Sequence, residues 1–117
     1  MIKVAIISGD SSTTGVPSHV ATLSRGLDKK KFEVLVICPP GPLVGTLKKH
    51  HILCKEIKMR GVLDRAGDHK IRQELMNFKP DIAHFHGMRA GWLVRLAARK
   101  LKNVKKIYSE HQWVNEL

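Results

Sequence analysis

The run His84-Phe85-His86-Gly87 sets two imidazoles two residues apart, and a third, His111, follows Glu110 near the end of the chain. Residues i and i+2 of a strand share a face, so His84 and His86 are expected to project the same way, with His86 at the rim. Three histidines at one rim have the ring nitrogens to hold zinc. No cysteine or carboxylate completes that set, so the expectation is a site without metal, whose rings hydrogen-bond a polar ligand or line a polar rim. Glu110 is a candidate to orient His111, although neighbours on a strand face opposite sides. Arg89 stands just ahead of a predicted helix, to meet an anion or to rest in solvent. Trp92 and Trp113 read as packing residues rather than stacking platforms.

A second stretch with chemical potential runs from Ser8 to Val16, a turn containing Gly9 and Gly15 that leads into a predicted helix. Backbone N–H groups and the positive end of a helix dipole favour a phosphate there. The stretch has neither the Gly-x-Gly-x-x-Gly dinucleotide fingerprint nor a Gly-x-x-x-x-Gly-Lys phosphate loop. The alternative is that the two glycines only turn the chain.

These residues need elements to position them. Ile2 to Ser8 is a short apolar run rich in β-branched residues and bounded by Gly9-Asp10, which predicts a buried strand. Val16, Val20, Leu23 and Leu27 form the stripe of an amphipathic helix, with Pro17 in its first turn and Lys29-Lys30-Lys31 at its negative end. Phe32 to Cys38 is a second strand, stopped by Pro39-Pro40-Gly41-Pro42. A short helix from Leu43 to His50 is interrupted by Gly45, and Ile52 to Ile57 is a third strand. Met59 to Gly67 reads as loop. Asp68 is expected to cap a helix carrying Ile71, Leu75 and Phe78, ended by Lys79-Pro80. Asp81 to His86, a helix from Ala90 to Lys102, and a strand from Lys105 to Glu110 complete the pattern. Apolar strands alternating with helices predict a doubly wound parallel α/β sheet, Rossmann-like, of about five strands ordered 3-2-1-4-5. Ligands of such sheets sit beyond the carboxyl ends of the strands, where Ser8–Val16, Cys38–Pro42, His84–Arg89 and Glu110–Trp113 all fall.

The chain has 117 residues with 21 Lys+Arg against 10 Asp+Glu, a formal charge of +11. Its length suits one domain, and 43% hydrophobic with 26% charged residues describes a globular chain. No run approaches the roughly 18 apolar residues of a membrane span, and the start lacks a secretory leader, so a single cytoplasmic domain is expected. Cys38 and Cys54 have no metal-type or redox-type spacing and are expected to stay reduced. The positive surplus favours anionic partners, whether phosphorylated ligands, lipid headgroups or nucleic acid, unless it is only a solvated surface. Aromatic content of 5%, with no interleaved basic–aromatic pattern and no helix-turn-helix or zinc-finger spacing, argues against nucleic acid.

Three segments carry a family resemblance. Gly15-Val-Pro-Ser-His-Val-Ala-Thr-Leu-Ser-Arg-Gly-Leu resembles the first loop and helix of family-4 glycosyltransferases, where Gly-Gly-x-x-x-His-Val-x-x-Leu is common. Pro80-Asp-Ile-Ala-His-Phe-His-Gly and the following Ala90-Gly-Trp-Leu-Val-Arg-Leu-Ala-Ala-Arg are similar to that family's Pro-Asp-hydrophobic-hydrophobic-His-x-His segment and helix. Ile107-Tyr-Ser-Glu-His-Gln-Trp is similar to its Thr-x-His-x-x strand end. The similarity is collinear over nearly the whole chain. It implies the N-terminal, acceptor-side lobe of a GT-B fold, whose other lobe binds the sugar nucleotide through a Glu-x7-Glu motif. The implied reaction is metal-independent, retaining transfer from a UDP- or GDP-sugar, with no cofactor held by this chain itself. Carried over by position, Gly15 and Val16 would approach the donor diphosphate through backbone N–H groups. His111 would contact the transferred sugar as the catalytic residue, and His84, His86 and Arg89 would line the acceptor side.

Two departures from the family pattern stand out: Thr14 replaces the first glycine of the loop pair, and the nucleotide-sugar lobe is absent from the sequence. The expectation is therefore an incomplete lobe, 1–117, inactive alone, that works with a missing C-terminal domain or a partner subunit. Its unfinished sheet edge invites a homodimer, and its basic segment from Arg95 to Lys106 invites peripheral contact with an anionic membrane. The alternative is a non-catalytic Rossmann-like module that binds a phosphorylated ligand or a partner protein.

Overall fold

Val4, Ala5, Ile6 and Ile7 are consecutive, and all four are buried. Successive strand residues face opposite sides, so this run must be covered on both faces. The computed structural model, which describes residues 1–9, 15–59, 65–86 and 103–109, shows how. In chain order the elements are β1 (Ile2–Ser8), α1 (Gly15–Gly26), β2 (Phe32–Cys38), α2 (Pro42–Lys49), β3 (Leu53–Glu56), α3 (Arg65–Phe78), β4 (Ile82–His86) and β5 (Lys105–Ser109). The strands form one sheet in the order β3-β2-β1-β4-β5, and every pair is parallel. This is the predicted doubly wound, Rossmann-like topology.

The two faces have separate cores. Val4, Ile6, Val36 and Cys38 pack with Val20 and Ala21 of α1 and with Leu43, Val44 and Leu47 of α2. Ala5, Ile7, Leu35, Ile37, Ala83 and Phe85 pack with Ile71 and Leu75 of α3. Crossovers between parallel strands are right-handed, so reversing direction across the sheet moves the helix to the other face. The chain winds outward from β1 to β3, then returns through α3 to β4 on the far side of β1. The reversal leaves a switch point between β1 and β4, where ligands of open α/β sheets bind. The lower ends of these two strands are stitched together: the Lys3 N–H donates to Asp81 Oδ2 at 2.8 Å and the Asp81 N–H to the Lys3 carbonyl at 2.8 Å.

Two local expectations need adjustment. The third helix begins at Arg65, three residues before Asp68, so Asp68 is not its cap. Asp68 lies in the first turn instead, where its carboxylate meets the helix dipole and the Arg72 guanidinium, with Nη2 2.7 Å from Oδ2. Gly67, placed in a loop by the sequence pattern, is buried inside this helix. Gly45 does not interrupt α2, and a Cβ there would meet nothing within 4 Å among the described residues. As expected, α3 ends at Lys79-Pro80, with Lys79 in the left-handed region (φ 54°) and its N–H donating to the Leu75 carbonyl. The helix predicted from Ala90 to Lys102 lies outside the described residues.

Both α1 and α2 run against the strands, so their carboxyl ends lie at the strands' amino ends. Arg25 falls in the last turn of α1 and Lys48 and Lys49 in that of α2, where cations complement the helix dipoles. Partial burial, together with the neighbouring basic side chains of Arg25, Lys49, His51 and Lys29, holds the His50 imidazole below its ordinary value. The folded chain therefore resists protonating this ring more than the unfolded chain does, and stability rises with pH. That contribution is complete above the ordinary imidazole value of about 6.5 and declines as pH falls below it. His50→Gln is expected to flatten the change of melting temperature between about pH 7.5 and about pH 5.5. Identical pH profiles for the variant and the parent would count against the cluster.

Candidate functional site at the carboxyl ends of the strands

The sheet register lines up a row of side chains at the carboxyl ends. Ser8 pairs with His86, and His86 pairs with Ser109. Paired residues of neighbouring strands share a face, and this one is the α1 face, since Val4 and Ile6 precede Ser8 at alternate positions. Ser8 and His86 are both fully buried. The row thus occupies the switch point between β1 and β4 that the winding creates.

His84 and His86 do project to one face, with ring centroids 4.0 Å apart and planes 37° apart. His84 Nε2 lies 2.7 Å from Ser109 Oγ, a hydrogen bond between the ends of two strands. His86 is buried beneath the rim rather than open at it. Above it stands an imidazole that the sequence marks only as part of the family pattern: His19 of α1 is exposed, with its ring centroid 5.4 Å from that of His86 and the planes 52° apart. A signal for His19 did exist. It lies four residues after Gly15 and so stands above the helix start, outside the Val20–Leu23–Leu27 stripe that meets the sheet. The part of Ser109 had no such signal, because it follows from register alone.

The amino terminus of α1 opens onto the same end of the sheet. Gly15 is exposed, and a Cβ built on it would meet nothing within 4 Å among the described residues. No acidic residue occupies the first turn of α1, so its positive dipole end is not neutralised from within. The backbone of Val16 belongs to this turn. Arg89 and His111, the two remaining sequence candidates, lie outside the described residues, as do Glu110, Trp92 and Trp113. Among the described residues, no three His, Cys, Asp or Glu side chains are grouped to hold a metal ion. None of the helices is long and apolar enough to cross a membrane among the described residues.

The His84–Ser109 bond gives a direct test of the site's geometry. Ser109→Ala removes one hydrogen-bond partner of a half-buried imidazole and is expected to cost about 0.5–2 kcal/mol. Ser109→Thr, which keeps the hydroxyl, should retain most of that. Urea unfolding of the three proteins measures it, and equal midpoints would show that the bond contributes nothing.

A parallel doubly wound sheet in the order 3-2-1-4-5 is the N-terminal lobe architecture of GT-B glycosyltransferases, and solved structures share this fold. A glycosyltransferase from Rickettsia africae superposes with a TM-score of 0.79 at 20% identity over 97% of this chain and 31% of that one. HepE of Anabaena, solved in complex with UDP, gives a TM-score of 0.77 at 14% identity over 97% of this chain and 30% of that one. MurG of Acinetobacter baumannii gives 0.75 at 18% identity over 94% and 35%. The chain therefore spans about a third of the length of these proteins. None of the curated proteins compared matches the sequence. The family model of Glycosyltransferase Family 4 matches residues 13–116, and the chain belongs to that family.

Proposed function

We propose that this chain is the acceptor-side lobe of a retaining, metal-independent glycosyltransferase that moves a sugar from a UDP- or GDP-sugar to an acceptor, and that it transfers no sugar alone. One observation carries the reading: in a chain of this family, His19 of α1, His84, His86 and Ser109 come together at the switch point of the sheet. The backbone N–H groups of Gly15 and Val16 approach the donor diphosphate, with the helix dipole behind them. An absent Cβ at Gly15 leaves room for that approach. His111 contacts the transferred sugar. His84 and Arg89 face the acceptor, and we read the buried His86 as the support that holds His84 and His19 in place. Stabilising a departing diphosphate needs hydrogen bonds and charges aimed from both sides of the leaving group, and one lobe supplies one side.

The remaining partners follow from the same reading. The second wall comes from a nucleotide-sugar lobe, either on the same chain or as a separate subunit. Half-exposed Ile107 and Tyr108 on β5 offer a strand edge to a second copy, and exposed Lys105 and Lys106 offer cations to an anionic membrane. A non-catalytic module that binds a phosphorylated ligand through the α1 start is the second reading, favoured by a first turn of α1 that carries no acidic residue.

The test is to incubate the purified chain with UDP-glucose or GDP-mannose and a glycosyl acceptor, with and without a separately produced nucleotide-sugar lobe. Transfer is expected only with both lobes present. Turnover by the chain alone, above a His111→Ala control, would overturn the proposal. Tight UDP binding by the lone chain, with no transfer in the two-lobe mixture, would favour the second reading.

A further inference from the structure

Cys38 and Cys54 lie 16 residues apart in sequence, with no motif to connect them, yet their sulfurs are 3.7 Å apart. Sheet register brings this about. Cys54 of β3 pairs with Val36 of β2, so Cys38 lies two residues further along the same strand, on the same face. The two differ in access: Cys38 is fully buried at the end of β2, whereas Cys54 is partly exposed on a four-residue edge strand. The hydrogen bond shared with Cys38 lowers the Cys54 thiol below its ordinary value, with help from Lys48 and against burial and the Glu56 carboxylate. Thiolate character and access are what make a cysteine reactive.

We propose that Cys38 and Cys54 form a redox-responsive dithiol that closes to an intrachain disulfide on reaction with a low-molecular-weight disulfide such as oxidised glutathione. Cys54, as thiolate, attacks one sulfur of glutathione disulfide; a protein–glutathione disulfide forms and one glutathione leaves as thiolate. That thiolate takes the proton of Cys38. The Cys38 sulfur then attacks the Cys54 sulfur, breaks the mixed bond and expels the second glutathione as thiolate, which takes up from solvent the proton that Cys54 gave up. The protein loses two hydrogens, and one glutathione disulfide becomes two thiols. The attacking sulfur is already beside its target, so the second step requires no diffusion.

Closure also has a structural cost that sets its character. A disulfide needs sulfurs about 2.05 Å apart, and parallel strands about 4.8 Å apart with a rise of about 3.3 Å per residue set Cα atoms two residues out of register about 8 Å apart, beyond the usual limit of a bridge. The short edge strand β3 must therefore be drawn along β2. Strained disulfides of this kind have higher reduction potentials and open readily, so the bridge is reversible. Cys38 also stands one residue beyond Ile37, the partner of Ile7, at the height of Ser8 and His86. Closure thus acts at the same end of the sheet as the candidate site.

The full chain, treated with oxidised glutathione, quenched by alkylation and digested for mass spectrometry, decides the matter. The expected product is two hydrogens lighter, carries no alkyl group, contains a Cys38–Cys54 cross-linked peptide and reverts with dithiothreitol. Cys38→Ala should stop at a glutathione adduct on Cys54, and Cys54→Ala should stay unmodified under native conditions. The parent chain by itself is sufficient if a variant fails to fold. Two alkylated cysteines, a lasting glutathione adduct, or a disulfide between two copies would each overturn the proposal.

Discussion

Phe85→Ala is expected to lower the stability of this chain by about 3–5 kcal/mol, the cost of emptying an aromatic site in a closed core. Phe85 is 1% exposed in the middle of the sheet, in one cluster with Ala5, Ile7, Ile71, Leu75 and Ala83. Its ring also lies 4.9 Å from that of Tyr108 on β5, so the substitution loosens the joint between the last two strands. A domain of this size has about 5–15 kcal/mol in total, so the loss is a large share of it. Met76 is 57% exposed on α3, and Met76→Ala should stay within about 0.5 kcal/mol of the parent. Denaturant midpoints for the three proteins check this. A loss below about 1 kcal/mol for Phe85→Ala would mean that this core is not packed as described.

His111→Ala, in an enzyme that joins this lobe to a nucleotide-sugar lobe, is expected to lower kcat by about 10²–10³-fold, the usual penalty for deleting one pre-aimed donor at a developing charge. If the imidazole acts chiefly in the transition state, KM for the donor should move little. His84→Ala should behave differently. The proposed function sets its ring on the acceptor side, so the expected effect is a raised KM for the acceptor with a smaller change in kcat. Steady-state kinetics with each substrate varied in turn separates the two patterns. An unchanged kcat for His111→Ala would remove that residue from the reaction, and the proposed arrangement of the site would fall with it.

The elements that build the fold were legible to different degrees. β1 and β2 end where the sequence pattern places them, because a parallel strand buried on both faces reads as an unbroken apolar run stopped by Gly or Pro. β3 was harder to bound: only Leu53–Glu56 pair as strand within the predicted 52–57, since an edge strand has one exposed side and a weaker pattern. The start of α3 was misplaced because Asp68 is a good capping residue by type, while its neighbour Arg72 gives it another use three residues inside the helix.

For the site, residue chemistry and winding order carried far. The pairing of His84 with His86 follows from strand alternation, and the switch point follows from the order 3-2-1-4-5, so both stood in the amino-acid sequence itself. Contacts between distant segments did not. The bond from His84 to Ser109, the approach of His19 to His86 and the 3.7 Å meeting of Cys38 with Cys54 depend on the register between strands and the rotation of α1 over the sheet. Those are set by how two whole cores fill space, and a one-residue slip in register would turn the side chains of the slipped strand to the opposite face.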